Sequence, residues 1–195
     1  MMNQYIVLFL LWVGYYTLHS LLASAFIKKQ LCFFGKYYRL VYNIIAIIGL
    51  VYILFYNAFI PQEWLIKKTN FSNFIGLMFT TYGLFIIRYA FRSYSMKDFL
   101  GFAQLSKDFS NEDFKKEGIL AYVRHPIYLG SILIFLGYFI FLPNLGNLII
   151  FITTTAYIFI GIVLEEKKLV KIYGDTYRQY SKRTPMIFPK KIKLF

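Results

Sequence analysis

The sequence predicts an all-α, polytopic membrane protein with about five transmembrane helices. Hydrophobic residues make up 58% of the 195 positions and charged residues only 16%, where a soluble domain carries about one quarter charged residues. Apolar runs long enough to cross a bilayer recur along the chain. Its basic residues fall almost entirely on one side of those runs. With 22 Lys and Arg against 9 Asp and Glu, the net charge is +13. In a soluble protein that excess would point to nucleic acid. On this apolar background it points to cytoplasmic loops and anionic lipid headgroups, so membrane lipids are expected partners and nucleic acid is not.

The first span, 4–26, has no charge and no small-residue cleavage signature, so it reads as a retained helix rather than a signal peptide. The second, 40–60, is stopped by Pro61, and the third, 71–90, carries Arg88 close enough to its end to snorkel. Spans four, 127–142, and five, 145–164, are separated only by Pro143 and Asn144, which demands a tight antiparallel hairpin. Backbone polar groups in lipid must be satisfied within the segment. Without strand-like alternation, these runs are helices rather than barrel strands.

Orientation follows from the loops. The segments after span one and before span four, together with the tail 165–195, hold 19 of the 22 basic residues. The opposite side has only Lys67 and Lys68, and Arg88 lies within a span. The positive-inside rule then puts the N-terminus outside and the C-terminus in the cytoplasm, as for a multi-pass protein of a bacterial inner membrane. A single cysteine, Cys32, excludes an internal disulfide and any CxxC site, and two histidines leave little for zinc, so no metal site is expected. No obligate protein partner is evident, and the whole chain reads as one integral membrane domain.

Ionisable groups at membrane depth carry the functional signal, because they are costly to place there without a partner. Arg124, His125 and Pro126 open span four. Pro126 suits a first helical turn, so the free N–H groups and positive dipole end of that helix lie beside two potential cations, an anion site. Glu165 and Glu166 follow span five. The hairpin brings the start of one span level with the end of the other, so Arg124, His125 and Glu165 can meet at the lipid boundary. Such a pairing suits a ligand bearing both charges. The alternative is that Arg124 and Lys167 merely snorkel while the glutamates are solvated.

RHPIYLG at 124–130, followed about forty residues later by LEEKKLVKIYGDTYRQYSKRTPMIFP, resembles the paired C-terminal signature of the isoprenylcysteine carboxyl methyltransferase and phospholipid methyltransferase superfamily. The resemblance covers roughly 99–189. It implies an integral membrane enzyme that uses S-adenosylmethionine without a Rossmann domain, the C-terminal hairpin and tail forming the cofactor pocket. Carried over, the cofactor contacts fall on His125, Pro126, Ile127 and Tyr128, with Gln104 in the FLGFAQ stretch, and Glu165 matches the active-site acid. Beside them, Arg124 and the start of span four suit the cofactor's carboxylate, Glu165 or Glu166 its amino or hydroxyl groups, and Tyr128 its cation. Leu120 stands where the family usually has an aromatic residue. Gly161 stands where prenylcysteine enzymes carry an arginine, which argues against a carboxylate acceptor.

HSLLAS at 19–24, YRLVYN at 38–43 and DFLG at 98–101 are similar to the methanethiol S-methyltransferase and NnrU-like branch. That implies methyl transfer to a small or lipophilic thiol, with Glu165 or His19 as catalytic proton acceptor. Three other readings stay open: a phospholipid amine methyltransferase, an isoprenylcysteine carboxyl methyltransferase and a non-catalytic NnrU-like membrane protein. A histidine such as His19 near a helix end can also serve only as interhelical hydrogen-bonding glue.

Overall fold

A computed structural model describes residues 2–94 and 114–189. Six helices appear among them: α1 Met2–Ala23, α2 Ala25–Gln30, α3 Tyr38–Phe59, α4 Asn70–Ala90, α5 Pro126–Phe141 and α6 Leu145–Arg183. No strand is present among the described residues. Four of the helices, α1, α3, α4 and α6, are long and apolar enough to cross a membrane, and α5 is a shorter apolar helix. The protein is therefore an all-α, multi-pass membrane protein.

Helix ends sit where local chemistry puts them. The first span stops at Ala23 rather than 26, because the Ser24 hydroxyl accepts from the Ile27 amide and restarts the chain as the short α2, which carries Lys28 and Lys29. Thr69 and Ser72 form a reciprocal capping box at α4. Asn144 caps α6 by accepting from the Asn147 amide at 2.8 Å. Leu145–Arg183 is 39 residues long, about twice what a bilayer core requires. The expected tail is thus helical as far as Arg183. At Gly174 the chain turns sharply with φ +55°, a backbone that glycine adopts without the Cβ clash other residues meet.

The segment after α6 then returns across the start of α5. Arg124 and His125 donate their amides to the carbonyls of Pro185 and Met186 at 3.0 and 3.1 Å. At the opposite end, the loop between α3 and α4 covers the α5–α6 turn, with Leu65 donating to Pro143 and Leu145 to Glu63. Tyr5 braces that loop, donating to the Pro61 carbonyl and accepting from the Glu63 amide.

Two apolar clusters share α6. One joins Tyr5, Leu8, Trp12, Ile53, Ile60 and Ile150 from α1, α3 and α6. The other joins Ile86, Leu129, Ile132, Ile158, Ile162 and Ile187. Large residues such as Phe55, Phe74, Phe85 and Ile160 remain exposed, as expected of faces turned to lipid, where chains as apolar as leucine replace water.

The tightest contact is antiparallel, between α4 and α5. A methyl group on Gly83 would sit 2.6 Å from the Gly130 carbonyl, and one on Gly76 would sit 2.7 Å from that of Gly137. Each pair is seven residues apart on its own helix, two full turns, so both close approaches fall on one seam. Gly83→Ala or Gly130→Ala should therefore lower thermal stability in detergent by about 1–3 kcal/mol. Gly14→Ala, where nothing lies within 4 Å, should be neutral or stabilising through helix propensity. Equal behaviour at the two positions would show that the seam does not depend on backbone approach.

Candidate active site

Consecutive positions on a helix point about 100° apart, so the adjacent glutamates at the end of the apolar part of α6 meet different neighbours. Glu166 turns to the start of α5. Its Oε1 accepts from Arg124 Nε at 2.7 Å and Nη2 at 2.6 Å, and from His125 Nε2 at 3.0 Å. Arg124 Nη1 donates to the carbonyls of Ser181 and Thr184, both at 2.7 Å. One guanidinium thereby joins three pieces of chain: the α5 entrance, α6 and the end of its bent extension. Its side chain is 10% exposed and that of Glu166 is 23% exposed.

Glu165 faces elsewhere. Tyr128, one turn into α5, donates its hydroxyl to Glu165 Oε2 at 2.9 Å, and the His125 and Tyr128 rings stack at 5.6 Å. A carboxylate only accepts, so the His125 nitrogen facing Glu166 carries the proton. Nδ1 is then directed toward Glu165, 3.8 Å from Oε2. His125 is 5% exposed, whereas the Glu165 side chain is 43% exposed.

Glu165, His125 and Arg124 border a cavity of about 190 Å³ that is otherwise largely aromatic, with Phe114, Tyr173, Tyr177 and Tyr180 in its wall. That volume corresponds to roughly six waters, more than an ion needs. Tyr180 donates to the Leu120 carbonyl at 2.6 Å. Tyr177 is 2% exposed, and its hydroxyl makes no close hydrogen bond, although the Glu166 carboxylate is near enough to act on it. Burial, with the Glu166 charge adding to it, raises the Tyr177 phenol above its ordinary range, so it stays a neutral donor. Among the described residues no group of His, Cys, Asp and Glu could hold a metal.

The structure thus brings together Arg124, His125, Tyr128, Glu165 and Glu166. Pro126 is the first residue of α5, and Ile127 in the same turn has its carbonyl engaged by Ser131. Gln104 lies outside the described residues. His19 stands apart in α1, where its Nε2 is 2.8 Å from the Tyr42 hydroxyl and its ring packs beside Tyr15 and Tyr157. Sequence reasoning missed the aromatic wall. The three-residue spacing of Tyr177 and Tyr180 puts them near one helical face, but Tyr173 lies on the other side of the bend at Gly174, so spacing alone does not gather the wall.

Desolvation raises the Glu166 carboxyl, but hydrogen bonds from His125 and Arg124, with the Arg124 charge, outweigh it and hold the group below its ordinary value. A depressed folded value means that its contribution to stability is present above about pH 4.3 and lost as pH falls through the folded value. Thermal unfolding followed from neutral pH into that acid window should show a steeper loss in the wild type than in Glu166→Gln. Parallel slopes would mean that the ion pair contributes nothing to folding.

A family model described as phospholipid methyltransferase matches residues 73–176, more than half of the chain. Methanethiol S-methyltransferase 1 of Bradyrhizobium diazoefficiens is 41% identical over 85 residues, 44% of this chain and 29% of that protein. The methanethiol S-methyltransferase of Crocosphaera subtropica is 32% identical over 130 residues, 62% of this chain and 50% of that protein. The protein-S-isoprenylcysteine O-methyltransferase of Schizosaccharomyces pombe is 38% identical over 74 residues, 37% of this chain and 31% of that protein. The chain accordingly spans half or less of the length of these relatives. No solved structure matches it. The segment matched by the family model runs from α4 through both Arg124–Tyr128 and Glu165–Glu166, and on that ground the chain belongs to the phospholipid methyltransferase family.

Proposed function

We propose that the protein is an S-adenosylmethionine-dependent membrane methyltransferase whose acceptor is a small or lipophilic thiol. One observation carries the reading. Glu165 is bordered by an aromatic cavity and held by Tyr128, yet it is left open where Glu166 is consumed by Arg124 and His125. The names of the Bradyrhizobium and Crocosphaera relatives support a thiol acceptor. The excess of basic residues on one side supports a site on the cytoplasmic face, where a soluble cofactor arrives.

The residues present fit such a cofactor. The buried Tyr177 hydroxyl, which makes no close hydrogen bond, offers a donor to a ligand oxygen or nitrogen. Aromatic faces of Phe114, Tyr173 and Tyr180 offer stacking and cation–π attraction. When bound, S-adenosylmethionine supplies a methyl group on a positively charged sulfur. The unsatisfied amides of Ile127 and Tyr128 at the α5 N-terminus suit its carboxylate. With most of its donors held by Glu166, Ser181 and Thr184, Arg124 acts mainly by positioning that turn.

Chemistry on a thiol requires the thiolate, so a base must take its proton. Glu165 is assigned that role. A dry pocket that holds donor and acceptor in line supplies the remainder of the acceleration by positioning. Gly161 presents no cation to an acceptor carboxylate, and leaving that charge unpaired in a desolvated site is costly.

Purified protein incubated with methyl-labelled cofactor and separate thiol, phospholipid and prenylcysteine pools should label alkyl thiols. Ready labelling of phosphatidylethanolamine or prenylcysteine, with no thiol product, would overturn the acceptor, and absence of cofactor binding would favour a non-catalytic membrane protein. His125→Ala and Tyr177→Phe should each weaken cofactor binding measured by calorimetry, the latter by about 0.5–1.5 kcal/mol. Glu165→Gln should lower turnover by at least about tenfold while changing the cofactor dissociation constant much less.

A further inference from the structure

We infer that the turn joining α1 to α3 and the apolar groove between those helices form one binding surface for an anionic phospholipid. Its headgroup rests on Lys28, Lys29, Lys36 and Arg39, and an acyl chain lies in the groove.

Charge singles out this turn. No Asp or Glu occurs before Glu63, whereas the segment 92–126 sets five acids against six basic residues and the tail 165–195 sets three against nine. The four cations at 28–39 are offset by no acid in their own stretch of chain. They also lie on the face that carries the candidate active site. Tyr16 bonds Thr154 at 2.5 Å and Ser20 donates to the Tyr157 hydroxyl at 3.1 Å, so α1 and α6 run the same way and end at the same face.

The turn is folded rather than slack. Ser24 Oγ donates to the Leu21 carbonyl and accepts from the Ile27 amide. Tyr38 donates its hydroxyl to the Leu22 carbonyl at 2.6 Å, which fastens the start of α3 to the end of α1. Gly35, at φ +49°, redirects the chain between them. Lys28, Lys29 and Lys36 are exposed, as are Phe26, Phe33 and Tyr37, and Lys36 lies over the Tyr37 ring at 5.3 Å. Such a surface suits a membrane interface, where rings enter the headgroup layer and amines reach phosphate.

The groove continues inward from that turn. About 380 Å³ in volume, it is bordered by Leu11, Gly14 and Leu18 of α1 and by Gly49, Tyr52 and Ile53 of α3. Half the hydrocarbon core is about 15 Å, or roughly ten residues of helix. Ten residues inward from Ser24 is Gly14, and ten inward from Tyr38 is Ile48, beside Gly49. The groove is therefore centred at the depth where that leaflet's acyl chains end. Spread over the roughly 10 Å of helix from Leu18 to Leu11, its volume has a section of about 40 Å². A helix 10 Å across needs roughly 80 Å². A second copy's helix does not seat there, whereas a single alkyl chain does.

Nanodiscs holding equal phosphatidylglycerol and phosphatidylcholine test the surface, with the lipids retained by the released protein counted by native mass spectrometry. The wild type should retain phosphatidylglycerol in excess. Each basic residue near an anionic surface is worth about fivefold, so the triple variant Lys28→Gln, Lys29→Gln, Lys36→Gln should cut that excess at least tenfold. The triple variant Lys167→Gln, Lys168→Gln, Lys171→Gln removes the same charge from the tail and should change it less than twofold. No excess in the wild type, or equal loss in both variants, would overturn the headgroup site. Should the first triple variant unfold in detergent, Lys36→Gln alone carries the comparison against Lys168→Gln, at about fivefold. Gly14→Leu fills open space without changing charge and should lower the retained phosphatidylglycerol at least threefold. Unchanged retention would overturn the acyl position. A dimer that Gly14→Leu dissociates, with lipid retention unmoved, would make the groove a contact between copies and overturn the lipid as its occupant.

Discussion

A single guanidinium at the lipid boundary determines how the rest of this protein is arranged. Arg124 is nearly buried, and a charge there persists only with partners that replace its water. Glu166 supplies one and the carbonyls of Ser181 and Thr184 supply the others. To satisfy them, the chain beyond the membrane must bend back toward the point where α5 begins. Gly174 permits that bend, and the amide bonds from Arg124 and His125 to Pro185 and Met186 hold the return in place. A buried ion pair of this kind contributes modestly to net stability. Its effect is to fix which pieces of chain meet.

The depth of the site comes from helix length. With 16 residues, α5 spans only about 24 Å, less than the roughly 30 Å hydrocarbon core. Its far end is fixed by the loop between α3 and α4, and its side is locked to α4 by glycine contacts that leave no room for sliding. In a bilayer of that thickness the deficit is left to the Arg124 end. His125 and Tyr128 then lie where water is scarce and hydrogen bonds to carboxylates are strong.

The apolar runs were legible because lipid imposes length and composition on a helix regardless of partners. The five spans accordingly match the observed helices closely, apart from the Ser24 break and the helical continuation past Leu164. That the start of α5 meets the end of the apolar part of α6 was legible too, because a two-residue turn fixes the hairpin's geometry, but the carboxylate that pairs with Arg124 and His125 is Glu166 and not the expected Glu165. What the sequence hid depends on tertiary folding. Gly174 reads as an unremarkable glycine until its φ is known, and only the bend it makes brings Tyr177 and Tyr180 to the cavity. His19 falls near the end of its span, but its depth relative to Glu165 depends on the α1–α6 register. Hydropathy does not contain that register.

Two adjacent glutamates with different partners resolve a conflict inherent in a charged site at the membrane. Arg124 and the imidazole of His125 need a carboxylate held close, and a carboxylate held that tightly is a poor base, because its charged form is already stabilised. Splitting the tasks between neighbouring positions on α6 removes the conflict. Glu166 compensates the cation and stays ionised, while Glu165, turned about 100° away, meets the Tyr128 hydroxyl and a distant imidazole nitrogen among the described residues. The hydroxyl orients Glu165 without supplying a full positive charge. Moving the pair by one residue would bring the base against Arg124 and turn the guanidinium's present partner a further 100° away. The arrangement therefore depends on the phase of α6 at the membrane boundary, which its cap at Asn144 and its packing against α5 set some twenty residues earlier.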